Sequence, residues 1–95
     1  MIQVLVRVRV EDLPRFVSVF ATRGASMRAR YGSMGSVVMQ HVDDPARLVL
    51  LLDFEDREDF EAFVADPEVQ ATMKAGGTVE PPEVTFLHLV GEFPH

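Results

Sequence analysis

Hydrophobic and polar residues alternate along the first ten positions of the chain. Every second residue is aliphatic and most are β-branched: Ile2, Val4, Val6, Val8 and Val10. A period of two in β-branched residues is typical of a strand with one buried face. Residues 2–10 are therefore predicted to form the first strand.

The spacing of apolar residues then changes to three and four. The residues at this spacing are Leu13, Phe16, Val17, Phe20, Gly24, Met27 and Tyr31. They predict one long amphipathic helix over residues 13–31, with Asp12 as its N-cap and Pro14 in its first turn. Gly32 is suited to end this helix, because glycine readily adopts the left-handed conformation that follows many helices.

A hairpin is predicted after the helix. Two strands, Ser36–Val42 and Arg47–Phe54, are joined through Asp43-Asp44-Pro45-Ala46, which has the composition of a turn. Alternate residues of the second of these strands are apolar, from Leu48 to Phe54. Val49 and Leu51 make its other face partly apolar, so this strand should be covered on both sides.

The second half of the chain predicts two shorter helices and a last strand. Asp56 can cap a helix, and Pro67 disfavours helical geometry at Asp66, which can then cap the next one. Gly76-Gly77 ends the second of these helices. Val84–Val90 is predicted to be the final strand, and the tail from Gly91 to His95 should be loose or lie on a partner.

The predicted order is β-α-β-β-α-β, which is the ferredoxin-like arrangement of the α+β class. We expect residues 1–95 to form one domain with a four-stranded antiparallel sheet in the order 4-1-3-2. The helices should cover the sheet face that carries Val4, Val6, Leu50 and Leu52, because the alternation of these strands is unbroken.

The opposite sheet face is mixed, with Leu5, Val49 and Leu51 among polar residues. Exposing these three side chains together would be unusual for a monomer, and 47% of the chain is hydrophobic. We therefore expect a homodimer that pairs sheet against sheet.

Composition excludes several other classes of protein. The net charge is −6, and residues 48–95 alone carry two basic and eleven acidic side chains, so nucleic acid is not expected as a partner. The N-terminus has no basic segment ahead of its apolar residues and is interrupted by Arg7 and Arg9, which predicts neither a signal peptide nor a membrane span. A cytoplasmic location is expected. The absence of cysteine excludes disulfides and thiolate chemistry.

Two histidines are candidates for acid–base chemistry. His41 and His88 are predicted to lie on covered strands, and their pKa values are ordinarily close to neutral. The alternative, which we favour, is that each is a hydrogen-bonded structural residue. His41 with Asp43 and Asp44 lacks a second histidine at ligand spacing, so no metal site is predicted.

Three arginines are predicted to cluster at one end of the sheet. Antiparallel pairing brings Arg7 and Arg9 beside Arg47. Such a cluster can hold a carboxylate or phenolate, in which case Asp53 and Tyr31 are further candidate ligand-binding residues. The favoured alternative is a set of ion pairs at the dimer interface, with Asp53, Glu83 or Glu92 from either subunit. Tyr31 is expected at the core edge with its hydroxyl in water.

Several short motifs carry a family resemblance. In chain order they are Val10-Glu11-Asp12, Asp43-Asp44-Pro45, Phe54-Glu55, Phe60 to Ala65, Asp66-Pro67-Glu68, Thr72-Met73 and Glu80 to Leu87. With them the chain resembles small, uncharacterised members of the antibiotic-biosynthesis-monooxygenase-like superfamily. The resemblance covers nearly the whole chain and implies a dimeric α+β barrel.

The same resemblance implies a place for a ligand. In this superfamily the space between helices and sheet can hold an apolar aromatic substrate, so the helix residues at core spacing are also candidates to line a pocket. They are Phe16, Phe20, Met27, Phe60, Phe63 and Met73. Ordinary core packing is the favoured interpretation of this set.

The catalytic residues of known members do not carry over. The oxygenases of the superfamily use asparagine and tryptophan, and the haem-degrading enzymes use asparagine, a helix histidine and tryptophan. This chain has no asparagine, no tryptophan and no histidine in a predicted helix. No cofactor is therefore expected.

Two hypotheses about function follow. The first is a homodimer that binds a small molecule without catalysis. The second is a monooxygenase-like or isomerase-like enzyme that acts on a small apolar or aromatic compound, with His88, His41 or a first-strand arginine in the polar role.

Overall fold

The structure is a computed structural model that describes every residue from Met1 to His95. Its elements in chain order are β1 (Ile2–Arg9), α1 (Leu13–Ala21), α2 (Arg23–Arg30), β2 (Gly35–Gln40), β3 (Arg47–Phe54), α3 (Arg57–Ala65), α4 (Pro67–Ala75) and β4 (Glu83–Leu87).

The four strands form one antiparallel sheet in the order β2-β3-β1-β4. The two central strands pair along their full length, from Ile2 opposite Phe54 to Arg9 opposite Arg47. The predicted strand order and the α+β class are thereby confirmed.

The core lies between one face of this sheet and the helices. Val4, Leu48 and Phe54 are almost completely buried, and Phe16 and Phe60 pack on them from the helices. Burying a side chain of this size stabilises a fold by about 1.5–3 kcal/mol. The face that carries Val4, Val6, Leu50 and Leu52 therefore meets the helices, as predicted.

The prediction of one long helix over residues 13–31 is wrong, because the helix is interrupted at Thr22. The backbone of Thr22 has φ −109° and ψ −91°, outside the helical region. Its hydroxyl donates to the carbonyl of Ser18 at 2.7 Å. A Cβ atom at Gly24 would lie 3.2 Å from the carbonyl oxygen of Val19, so glycine allows α2 to begin close to the end of α1.

The predicted caps are confirmed. Asp12, Asp56 and Asp66 each accept a hydrogen bond from a backbone N–H of the helix that follows, at 3.1, 2.9 and 2.8 Å. Gly32 and Gly77 have positive φ values of 82° and 85°, where residues with a Cβ are strained. These two glycines therefore turn the chain out of α2 and α4.

Three strands end earlier than predicted, and β1 does so by one residue, at Arg9. β2 ends at Gln40 and β4 ends at Leu87, so His41 and His88 lie just beyond strand ends rather than inside strands. Both histidines are exposed, as is the tail from Gly91 to His95.

Candidate functional site

A cavity of about 80 Å³ lies between the helices and the sheet and is partly open to solvent. Its walls include every helix residue that the sequence suggested for a pocket: Phe16, Phe20, Met27, Phe60, Phe63 and Met73. Phe16, Met27 and Phe60 are also buried core residues. Core packing and pocket lining are therefore two roles of the same side chains.

Four phenylalanine rings line the cavity, those of Phe16, Phe20, Phe60 and Phe63. Phe16 and Phe20 stack with 5.6 Å between their ring centroids, as expected for residues four apart on one helix. Phe60 meets Phe54 and Phe86 edge to face at 5.5 and 5.6 Å. Such contacts favour a rigid apolar wall.

One charged side chain lines this cavity. The guanidinium of Arg28 lies over the ring of Phe20, 3.7 Å from the ring centroid, and its Nη1 donates to the carbonyl of Phe20 at 2.9 Å. Burial lowers the pKa of Arg28. Arg28 was not a candidate from sequence, because the helix break at Thr22, which lies between Phe20 and Arg28, is not visible in the apolar spacing.

Two threonine hydroxyls also line the cavity. Thr72 donates to the carbonyl of Glu68 at 2.9 Å, so its hydrogen is already used. Thr78 Oγ1 is buried and has no hydrogen-bond partner in the protein. A buried hydroxyl without a partner is costly, and a polar atom of a ligand would relieve that cost.

The predicted arginine cluster is present at the far end of the outer sheet face. Arg7, Arg9 and Arg47 line a second cavity of about 80 Å³ together with His41 and the acidic residues Glu80 and Glu83. Arg9 stands opposite Arg47 in the register of the two central strands.

Within the chain, Asp44 is the ion-pair partner of two of these arginines, Arg9 and Arg47. Its Oδ2 lies 3.3 Å from Arg9 Nη1 and 3.1 Å from Arg47 Nε. A hydrogen bond from the Ala46 N–H, followed by the charge of Arg9, lowers the pKa of Asp44. The sequence predicts Asp44 as a turn residue and does not predict its pairing with these two arginines.

The other candidate residues do not join this cluster. Asp53 lies at the opposite end of β3 from Arg47, paired with Gln3 and Gly35. Tyr31 lies on the helix side, and its hydroxyl donates to Asp66 at 2.6 Å, so the expectation of a hydroxyl in water is wrong. The proposed ligand-binding set is thus spread over three places.

Neither candidate catalytic histidine lines the apolar cavity. His41 belongs to the arginine-lined cavity, and its backbone N–H donates to the Arg47 carbonyl at 2.9 Å. His88 is exposed beyond β4. A catalytic role for either remains a prediction.

Two further features of the structure bear on possible ligands and partners. No group of three or more acidic or histidine side chains is placed to hold a metal ion. None of the helices is long and apolar enough to cross a membrane.

A four-stranded sheet with an apolar cavity beneath its helices describes a class of proteins. Comparison with known proteins identifies the family within that class. The family model described as antibiotic biosynthesis monooxygenase matches residues 1–75. The chain belongs to this family. No curated protein sequence matches the chain.

Solved structures with the same fold come from several bacteria. SnoaB, a cofactor-independent oxygenase from Streptomyces nogalater, is similar with a TM-score of 0.75 and 22% identity, over 99% of this chain and 97% of SnoaB. Two structures provisionally assigned as antibiotic biosynthesis monooxygenases are also similar. The protein from Caulobacter crescentus has a TM-score of 0.74 and 16% identity, over 95% of this chain and 90% of its own. The protein from Nitrosomonas europaea has a TM-score of 0.71 and 19% identity, over 96% and 100%. At these identities the likeness concerns the fold alone.

Proposed function

We propose that this protein is a homodimer that binds a small, largely apolar molecule in the cavity between its helices and its sheet. The observation that carries this proposal is the composition of the cavity wall. Aromatic and aliphatic side chains dominate it, and it includes no histidine, aspartate or glutamate. Such a wall suits binding, whereas acid–base catalysis requires a titratable group within reach of the substrate.

The size of the cavity limits the part of the ligand that is enclosed. An engineered cavity of about 150 Å³ in another protein binds benzene. The cavity here, at about 80 Å³, encloses roughly half that volume and is partly open. We therefore expect part of a ring-sized ligand to extend through the opening.

The outer sheet face supports the proposal of a homodimer. Val37, Leu51 and Leu5 are aligned across three neighbouring strands. Val37 is 53% exposed, and Met39 and Leu87 on the same face are 46% and 38% exposed. A contiguous apolar patch of this kind usually marks an interaction surface, and a second copy of the sheet is complementary to it.

An enzyme is the second candidate function. It would be a monooxygenase-like or isomerase-like protein that acts on a small apolar or aromatic metabolite. Membership of a family described as monooxygenases favours it. Against it stands the absence of an acid–base side chain from the apolar cavity.

Blocking the cavity tests the proposed binding function. Met73→Trp places an indole ring in the cavity wall, whereas Ala71→Trp places the same ring at an exposed position of the same helix. We expect free indole, titrated as a probe by NMR, to bind wild type and Ala71→Trp alike and Met73→Trp on the order of tenfold more weakly. Equal binding by all three proteins, or no binding by wild type at millimolar indole, would contradict the proposal.

A further inference from the structure

Arg28 is a cation at the wall of the apolar cavity that has no counter-ion. Five other arginines form ion pairs with carboxylates: Arg9, Arg15, Arg30, Arg47 and Arg57. Arg28 forms none, although it is half-buried beside Phe20 and Met27. A charge that has lost part of its water without gaining an ionic partner is unusual.

The guanidinium is nevertheless held in place. Nη1 donates to the carbonyl of Phe20 at 2.9 Å, and the guanidinium lies 3.7 Å from the centroid of the Phe20 ring. This hydrogen bond uses one of the N–H groups of the guanidinium, and the other N–H groups remain for a ligand. Because the planar guanidinium is already held in place, its side chain would lose little conformational freedom on binding an anion.

The local sequence explains why this arginine reaches the cavity. The helix is interrupted at Thr22, whose backbone is not helical, and α2 begins at Arg23. The side chain of Arg28 reaches back to the last turn of α1. There the carbonyl of Phe20 has no backbone N–H of its own helix to accept from, so it accepts from Arg28. The same contact therefore caps the C-terminal end of α1 and places a positive charge at the cavity.

We infer that the ligand of the apolar cavity is an apolar compound with a carboxylate, which binds to Arg28. This inference rests on the proposed function, because it assigns a chemical class to the molecule that the cavity holds. A carboxylate accepts two parallel hydrogen bonds from a guanidinium, and such charge-assisted bonds are stronger than neutral ones. The apolar part of the ligand would lie among the aromatic rings.

The other polar groups of the cavity do not select for charge. The hydroxyls of Thr72 and Thr78 are neutral and can contact either an acid or an amide. The overall charge of −6 would weaken the binding of any anion. A preference for an acid over its amide must therefore arise locally, at Arg28.

Octanoate and octanamide are a matched pair of probes for this inference. They share one alkyl chain and differ in charge. We expect wild type to bind octanoate about tenfold more tightly than octanamide in an NMR titration at low salt. Arg28→Gln, which keeps a polar N–H group but removes the charge, should bind the two equally.

Two further variants separate the role of Arg28 from effects of charge and folding. Arg28→Lys keeps the positive charge but lacks the planar guanidinium, so it should keep part of the preference for octanoate over octanamide. Arg23→Gln removes an exposed arginine of the same helix that does not line the cavity, and it should keep the full preference. The comparison of the two probes on wild type needs no variant, so it remains decisive if Arg28→Gln does not fold.

The outcomes distinguish this inference from the proposed function. Equal binding of octanoate and octanamide by wild type, or an unchanged preference in Arg28→Gln, overturns the inference and leaves the apolar cavity as a binding site. If neither probe binds wild type and free indole also fails to bind, the proposed function is overturned and the inference falls with it. If indole binds and both octanoate and octanamide fail, only the inference is overturned.

Discussion

The hydroxyl of Tyr31 donates a hydrogen bond to the carboxylate of Asp66, with 2.6 Å between Tyr31 Oη and Asp66 Oδ2. Asp66 also caps α4 by accepting from the Glu68 N–H at 2.8 Å. The ring of Tyr31 meets Phe63 edge to face at 5.9 Å. One side chain at the end of α2 thus links α3 and α4, which both contribute to the wall of the apolar cavity.

Tyr31→Phe should destabilise the protein at neutral pH while keeping the contact with Phe63. The bond from Tyr31, followed by the Glu68 N–H, lowers the pKa of Asp66, and the same bond raises the pKa of Tyr31. Because the pKa of Asp66 is lowered, its contribution is complete above its unfolded pKa of about 3.9 and is lost as pH falls through the folded pKa.

We therefore expect Tyr31→Phe to lower the melting temperature by a few degrees at pH 7, and the difference from wild type to shrink below about pH 4. Thermal unfolding followed by circular dichroism measures both. Equal melting temperatures at pH 7, or a difference that is independent of pH, would show that the bond does not contribute in this way.

Leu51→Asp should convert a dimer to a monomer, because Leu51 lies at the centre of the outer sheet face opposite Leu5 and Val37. A buried carboxylate there would have no partner. Val17→Asp is the control, since Val17 is 47% exposed on α1, away from the sheet. Light scattering at micromolar concentration should give a dimer mass for wild type and the control. A monomer mass for wild type would refute the proposed dimer.

Asp44→Asn should turn the arginine cluster into a better site for anions. Asp44 forms ion pairs with both Arg9 and Arg47 in the folded chain, and asparagine would remove this negative charge from the cluster. We expect Asp44→Asn to bind benzoate several-fold more tightly than wild type in an NMR titration. Asp43→Asn makes the same change of charge at a neighbouring exposed position and should behave like wild type. If the two variants bind alike, Asp44 does not control this cluster.

His41→Gln and His88→Gln should bind ligand in the apolar cavity as wild type does, because neither histidine lines it. The enzyme hypothesis makes a different prediction. If a histidine is the acid–base group for a substrate yet to be found, its replacement should reduce the rate on the order of 10²–10⁴. Parallel measurements of affinity and of rate therefore separate binding from catalysis.

The sheet could be predicted from sequence because its central strands, β1 and β3, have one unbroken apolar face. Register and facing follow from that pattern, since a slip of one residue would expose Val4 and Leu50. The aspartate caps were also predictable, because each precedes a helical pattern by a fixed spacing.

The break at Thr22 could not be predicted in the same way, because the apolar spacing continues through it. Without the break, Arg28 has no evident reason to approach Phe20 and the cavity. The bond from Tyr31 to Asp66 joins residues 35 positions apart, so it depends on how α2 packs beside α4. The sequence indicated which apolar side chains could line a pocket. That Arg28 is the charged residue of this pocket depends on tertiary packing.

The methionine methyl groups provide the most direct test of ligand binding in the apolar cavity. Met27 and Met73 line the cavity, whereas Met39 lies on the outer sheet face and Met34 is exposed. In an NMR titration of methyl-labelled protein with free indole, we expect saturable shifts of Met27 and Met73 while Met34 and Met39 stay in place. Shifts confined to Met39, or no shift at millimolar indole, would contradict the account.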